Sequence, residues 1–234
     1  LQQSTTSNNL ANANTNGFKA ELVAFRALPV VADAPATPTR AFVVDSTIGH
    51  DRSQGPLVST GNDQDFALKG AGFFAVQAPD GQEAYTRDGG YVVDENGIMR
   101  TRSGRVILSD GGPITVPNNT RVAIAEDGTI STVPTEGGDR ASQILGQLKL
   151  VAEANRNDYY KGVDGLFRRN DGQEAPRDEN VRVSTGVVEG SNVNVVESLV
   201  QMIDHARHYD LNIKLMQTAD QNGKSATSIM SLAG

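Results

Sequence analysis

Three histidines, His50, His205 and His208, are the first residues to test for chemistry. His205 and His208 stand three apart, which on a helix puts both rings on one face and is one geometry for a metal pair. Asp204 is the nearby acid, and an ordinary polar helix face accounts for the same three residues. His50 lies beside Asp51 in an expected loop, with no partner evident. Asp94-Glu95-Asn96-Gly97 imitates the opening of a calcium loop but lacks the terminal Glu of the full pattern, and a hairpin turn explains it. Gly70-Ala71-Gly72 has neither the third glycine nor the following helix of a phosphate cradle; glycines so placed let backbone pass close to backbone in a sheet. No Gly-x-Ser-x-Gly elbow occurs, and sequence alone sets no two carboxylates at the working distance of a glycoside hydrolase. These residues assign no catalytic, cofactor-binding or metal site, and the expectation is a protein that is not an enzyme and carries no cofactor.

The totals narrow the classes further. The chain has 234 residues, a net charge of -7 and no cysteine. No basic block supplies the charges that nucleic-acid binding needs. No run of 18 apolar residues occurs, so no helical membrane span is expected, and there is no cleavable signal pattern at the start. Zero cysteines exclude disulfides and thiol chemistry. The chain opens at Leu1 rather than Met, so a few further N-terminal turns are expected before it. The absence of Trp and an aromatic share of 5% weigh against a sugar cleft.

The element that carries His205 and His208 is a long helix. Val195, Leu199, Met202, Ala206, Tyr209, Ile213 and Met216 alternate spacings of four and three, the seam of a helix packed along another helix. Val196, Val200, Ile203, Leu211 and Leu215 widen the stripe, which predicts more than one neighbour. Asn194 is placed to cap it, and Glu197 completes a capping-box pattern with Asn in place of Ser or Thr. The spacing predicts helix over 194–219, roughly 40 Å at about 1.5 Å per residue. It continues through Ile229 and Leu232, although Asp220 and Gly223 fall on the seam.

Residues 60–188 read differently, as short apolar runs separated by Asp80-Gly81, Asn96-Gly97, Ser103-Gly104 and Asp127-Gly128. Such dipeptides supply the positive φ of two-residue hairpins, so the stretch is expected to be an all-β domain of short antiparallel strands. Residues 135–140 and 168–179 are expected loops. Residues 19–59 read as an extended connector interrupted by prolines, with a strand at 41–44. Residues 1–18 are uncharged and polar, expected to be mobile in isolation and to hold a helix end completed by a partner, with Gly17 as its left-handed cap and Phe18 closing over it.

Several of these residues carry a resemblance. Asn9-Leu10-Ala11-Asn12, followed by Thr15-Asn16-Gly17-Phe18-Lys19, resembles the N-terminal signature of the bacterial flagellar rod and hook axial proteins. Thr185-Gly186 with Glu189-Gly190-Ser191-Asn192-Val193-Asn194 and Met202-Ile203 resembles the start of their C-terminal helix. Residues 66–76 and Tyr85-Thr86-Arg87-Asp88-Gly89 resemble their shared β domain. The three motifs stand in order over nearly the whole chain. Within the family the likeness is to proximal rod subunits of the F type, from Ala206-Arg207-His208-Tyr209-Asp210 and the tail Asp220–Ala226; distal rod subunits of the G type are the alternative.

The resemblance implies an α+β fold: a mainly-β antiparallel central domain, with paired N- and C-terminal helices forming an inner coiled-coil layer. The expected division is 1–18 N-terminal helix end, 19–59 connector, 60–188 central domain and 189–234 C-terminal helix. It implies a structural subunit of a periplasm-spanning hollow drive shaft, exported through the flagellar type III apparatus without a cleaved signal. Its partners would be copies of itself and other rod proteins, with no nucleic acid and no membrane insertion. The residues expected at the assembly interface are Asn9, Leu10, Asn12, Thr15, Gly17, Phe18, Ser191, Asn192, Asn194, Val195, Leu199, Met202, Ile203, Tyr209, Ile213 and Met216. Asn12 and Gly17 are expected to fix the N-terminal helix end. The competing class is a carbohydrate-binding or hydrolytic β protein with an incidental dimerisation helix, which predicts a ligand pocket and ordered termini.

Overall fold

The computed structural model describes residues 1–29, 41–135, 141–153, 155 and 158–232. Most of the expected loop at 135–140 therefore lies outside the described residues. The architecture is α+β, with antiparallel sheets between a short N-terminal helix α1 (Gln2–Ala11) and a long C-terminal helix α2 (Val195–Leu232). The connector is a two-stranded ribbon, β1 (Glu21–Pro29) paired with β2 (Ala41–His50). Its strand is thus longer than the one expected at 41–44.

The β domain is built on β4 (Phe66–Lys69), β5 (Phe73–Gln77) and β6 (Glu83–Thr86), after a short strand β3 (Leu57–Ser59). Strands β5 and β6 form the middle of the largest sheet. It runs from Tyr159–Lys161 through Phe167–Arg169, β6, β5, Val106–Ser109 and Met99–Thr101 to Tyr91–Val93. Alternation along β5 buries both of its faces. Phe74 and Val76 enter the main core with Phe66, Leu68, Met99, Ile107, Ile130 and Leu150. Phe73 and Ala75 face a second, aromatic core with Tyr85, Tyr159 and Phe167. There the Phe73 and Phe167 rings lie 4.7 Å apart and Tyr85 meets Tyr159 edge-on at 5.4 Å. Strand Phe167–Arg169 takes the first two residues of the expected loop 168–179, because Phe167 just before it sits in that second core. Burial of Tyr159 pushes its hydroxyl up to about 12.

The glycine turns are of a different kind from the two-residue hairpins expected. Gly97 donates to the Asp94 carbonyl and Asp94 to that of Ile98, and only the glycine has positive φ, 77°. That is a type I turn followed by a left-handed glycine, the three-residue loop. The same pair of bonds recurs at Ala78–Gln82, Thr101–Arg105 and Ala125–Thr129. Oδ1 of Asp94 accepts the Asn96 and Ile98 amides, and Oδ2 accepts Arg100 Nε at 2.7 Å. The calcium-like tetrapeptide is a turn whose Asp94 carboxylate is fully engaged, and Arg100 holds that carboxyl below the usual range.

Helix α2 starts where the spacing places it. Oδ1 of Asn194 accepts the Val196 and Glu197 amides at 3.1 and 3.2 Å. Glu197 does not complete the box: its carboxylate accepts from Gln201, one turn on. The helix runs on past Gly223 to Leu232. Helix α1 ends at Ala11, not at Gly17; Asn12 caps it, and Thr15 Oγ1 donates to Asn12 Oδ1, turning the chain before Gly17 is reached. The element that completes α1 is α2 of the same chain, against which it lies.

Candidate functional site

Residues 15–21 run as a strap over the end of the β domain, where α1, the ribbon and the start of α2 meet. The Gly17 amide donates to the Glu189 carbonyl at 2.8 Å, and the Asn192 amide to that of Phe18 at 3.3 Å. At Gly17, φ is +69° and a Cβ would stand 2.4 Å from the Arg87 carbonyl carbon, so both conformation and space require glycine.

Two motif asparagines clip the strap through their amides. Asn9 donates to the Glu21 carbonyl at 3.0 Å and accepts the Glu21 amide at 2.9 Å. Asn192 accepts the Ala20 amide at 2.7 Å and donates to the Asp51 and Ser53 carbonyls at 3.0 and 3.1 Å. Ser191 Oγ accepts the Val193 amide at 3.2 Å. A carboxamide carries a donor and an acceptor on one planar group, which suits it to grip backbone in both directions.

Under the strap lies a buried charge cluster. Oε1 of Glu189 accepts Lys19 Nζ at 2.7 Å and the Gly55 amide at 3.1 Å, while Oε2 accepts Arg87 Nε at 2.9 Å and Nη2 at 2.5 Å. Arg87 Nη1 donates to the Gly70 and Gly72 carbonyls, both at 2.8 Å, so Gly70-Ala71-Gly72 cradles a guanidinium and not a phosphate. A Cβ at Gly72 would sit 2.7 Å from the Val151 carbonyl oxygen, the close backbone approach its glycine permits. Burial draws the Lys19 ammonium below its ordinary value, and the Glu189 carboxylate opposes that shift. Nearby, Lys161 Nζ lies 3.6 Å from the centre of the Phe18 ring, 3.3 Å from Glu21 Oε1 and 3.1 Å from the Lys19 carbonyl, to which it donates. His50 is buried at the end of β2, with Nε2 3.2 Å from Glu153 Oε1 and its ring 4.5 Å from Phe167; Arg52 joins the same carboxylate at 2.9 Å. The residue expected in a loop without a partner thus meets the buried Glu153 carboxylate, which Arg52 also holds.

Helix α2 divides into two lines. Ser198 is buried and Met202 and His205 are half-buried, spaced as one face of a helix, and α1 is the helix in contact with α2. Leu10 is half-buried on α1. Val195, Leu199 and Ile203, with Val196 and Val200, stand 42% to 71% exposed on the neighbouring face. Farther along, Ile213 is half-buried while Tyr209 and Met216 are exposed. The expected seam is therefore only partly the line that α1 covers. Among the described residues, His205 and His208 included, no group of three or more His, Asp or Glu is placed to hold a metal ion. An open groove of about 630 Å³ on the β domain has Asp63 as its one acidic lining residue among the described residues, already paired with Arg121.

The sequence places this geometry among known proteins. Residues 67–132 match the flagellar hook protein FlgE/F/G D1 domain, 184–229 the flagellar basal body rod FlgEFG C-terminal family, and 1–19 the flagella basal body rod protein family. The chain is 40% identical over 238 residues to the flagellar basal-body rod protein FlgF of Salmonella typhimurium, covering 99% of this chain and 93% of that one. The chain belongs to the flagellar basal-body rod proteins, of the FlgF type. Escherichia coli FlgF is likewise 40% identical over 240 residues, 99% of this chain and 93% of the relative. Buchnera aphidicola FlgG is 37% identical, over 92% of this chain and 88% of the relative. In this rod protein the matched terminal families contain the two asparagine clips and Glu189, while Arg87 lies in the matched central one. From sequence, Asn9, Thr15, Gly17, Phe18, Ser191 and Asn192 are expected at the assembly interface, whereas here Asn9, Gly17, Phe18 and Asn192 make contacts within one chain. The sequence motifs do not single out Lys19, Arg87, Glu153 and Glu189 as buried ion partners. The available signal is charge set among glycines, in Arg87-Asp88-Gly89-Gly90 and Glu189-Gly190.

Proposed function

We propose that this subunit builds the proximal rod of the flagellar basal body, joining copies of itself and other rod proteins in a helical array. The supporting observation is the apolar face of α2 left open by α1: Val195, Val196, Leu199, Val200 and Ile203. Full burial of such a side chain is worth about 1.5–3 kcal/mol, and these, already about half buried, have roughly half of that left to contribute each, a favourable sum over five residues. A contact between different faces that does not close on itself generates a filament rather than a dimer. In this reading α1 and α2 pair into an inner layer with those of neighbouring copies, the β domain lies outside, and the shaft transmits torque across the periplasm. Export through the flagellar type III apparatus would deliver it without a cleaved signal. In this reading the subunit acts by assembly and turns over no substrate.

The test is complementation. A bacterium lacking its F-type rod subunit is given this chain, and its basal bodies are purified. The chain is expected in the rod, with swimming restored. Basal bodies that exclude a soluble, folded chain would contradict the proposal.

A further inference from the structure

The segment between the last strand and α2 is five residues long, 190–194, and is fastened at nearly every position. Gly190 donates to the Pro56 carbonyl at 2.9 Å, Ser191 Oγ accepts the Val193 amide, and Asn194 caps the helix. Asn192, in the middle, holds the strap from both its backbone and its side chain, through the Phe18 carbonyl and the Ala20 amide. Glu189, immediately before, holds it again through the Gly17 amide and the Lys19 ammonium. Four of the bonds that fix the start of α2 therefore have a strap residue as their other half.

The strap itself is attached by polar groups. Phe18 and Ala20 are only half-buried, whereas Lys19 and Gly17 are buried, and the main and aromatic cores of the β domain contain no residue of 1–21. A polar seam without shared core permits one side to open as a local unit while the other keeps its fold. Glu189 then retains Arg87 and the Gly55 amide, so no buried anion is orphaned when the strap leaves.

We infer that docking of the strap, residues 15–21, sets the direction in which α2 leaves the β domain. With the strap docked, Asn192 is bonded on two sides and α2 points one way. With it undocked, Asn192 keeps only Asp51 and Ser53, and the helix swings about Gly190 or frays. The N-terminal strap thus acts as a lock on the C-terminal helix of the same chain. Its consequence for assembly rests on the reading of α2 as the assembly helix: a copy joins the array with α2 correctly aimed only after its own strap has closed.

The absence of cysteine makes the test direct. Spin labels are placed at Glu95→Cys, in an exposed turn of the β domain, and Asp204→Cys, on the exposed side of the α1-covered part of α2. Distances between them are measured by electron paramagnetic resonance on the free full-length chain. One narrow distance is expected. Gly17→Val, which sterically excludes the strap from its seat on Arg87, and Asn192→Ala, which releases the grip from the helix side, are each expected to lose that single peak to a broad distribution. Thermal melting of the β domain in both variants verifies that it is still folded. A narrow peak in either folded variant overturns the lock. The readout is a distance within a free subunit, so its failure is separate from failure of the rod assignment, which is read from basal bodies.

Discussion

Replacing Glu189 with alanine is expected to cost about 3–5 kcal/mol of stability, the range for removing one partner of a buried ion cluster. The side chain is 1% exposed and is the only anion within bonding distance of both Lys19 and Arg87 among the described residues. Without it, Arg87 keeps the Gly70 and Gly72 carbonyls and Lys19 keeps that of Ser53, but two positive charges are left buried side by side. Against a total of about 5–15 kcal/mol for an ordinary domain, that loss is large. Denaturant unfolding of Glu189→Ala checks it, with Glu126→Ala as the control. Glu126 pairs with Lys69 at 3.0 Å on the surface, where ion pairs contribute about 0–1 kcal/mol. Equal midpoints for the two variants would mean that the Glu189 cluster does not hold the seam.

The second large effect is on assembly and not on the fold. Ile203 is 53% exposed on the open face of α2, so Ile203→Asp is expected to change the stability of the free chain by no more than about 0.5 kcal/mol. In the proposed array the same position is enclosed by apolar neighbours. An aspartate there is buried without a partner, a penalty of several kcal/mol repeated in every copy. The expected phenotype is a soluble, folded subunit, no rod and no swimming. Cells that swim normally with this variant would show that the open face is not the contact surface. Leu199→Asp, one turn back on the same face, is expected to behave alike.

Much of the fold is visible in the order of residues. The 4-3 spacing and Asn194 locate α2, and the glycine dipeptides locate the turns of the β domain, because both signals are local and periodic. What stays hidden is long-range. Lys19 and Glu189 are 170 positions apart, and no pattern within either neighbourhood says that they meet. Gly17 reads as a helix cap in the sequence, since a left-handed glycine commonly sits there; it is left-handed, but its role is to let the strap lie on the Arg87 backbone. The sequence shows a seam widened on α2 for more than one neighbour, but the helical period cannot tell which flank a ten-residue partner such as α1 will cover. His50 reads as a loop residue without a partner, as Glu153 and Phe167 lie too far along the chain for any local pattern to pair them with it.

The central claim is that α2 is an assembly element with too few partners inside one chain. Amide hydrogen exchange along α2 tests it, on the free subunit and on purified basal bodies. In the free subunit, fast exchange is predicted over 206–232, beyond the line of Ser198, Met202 and His205, with protection across the β domain from Phe66 to Glu189. In the assembled rod the same stretch of α2 is predicted to exchange slowly. Slow exchange along the whole helix in the free subunit, unchanged on assembly, would mean that α2 is already satisfied within one chain and would contradict its role as the assembly element.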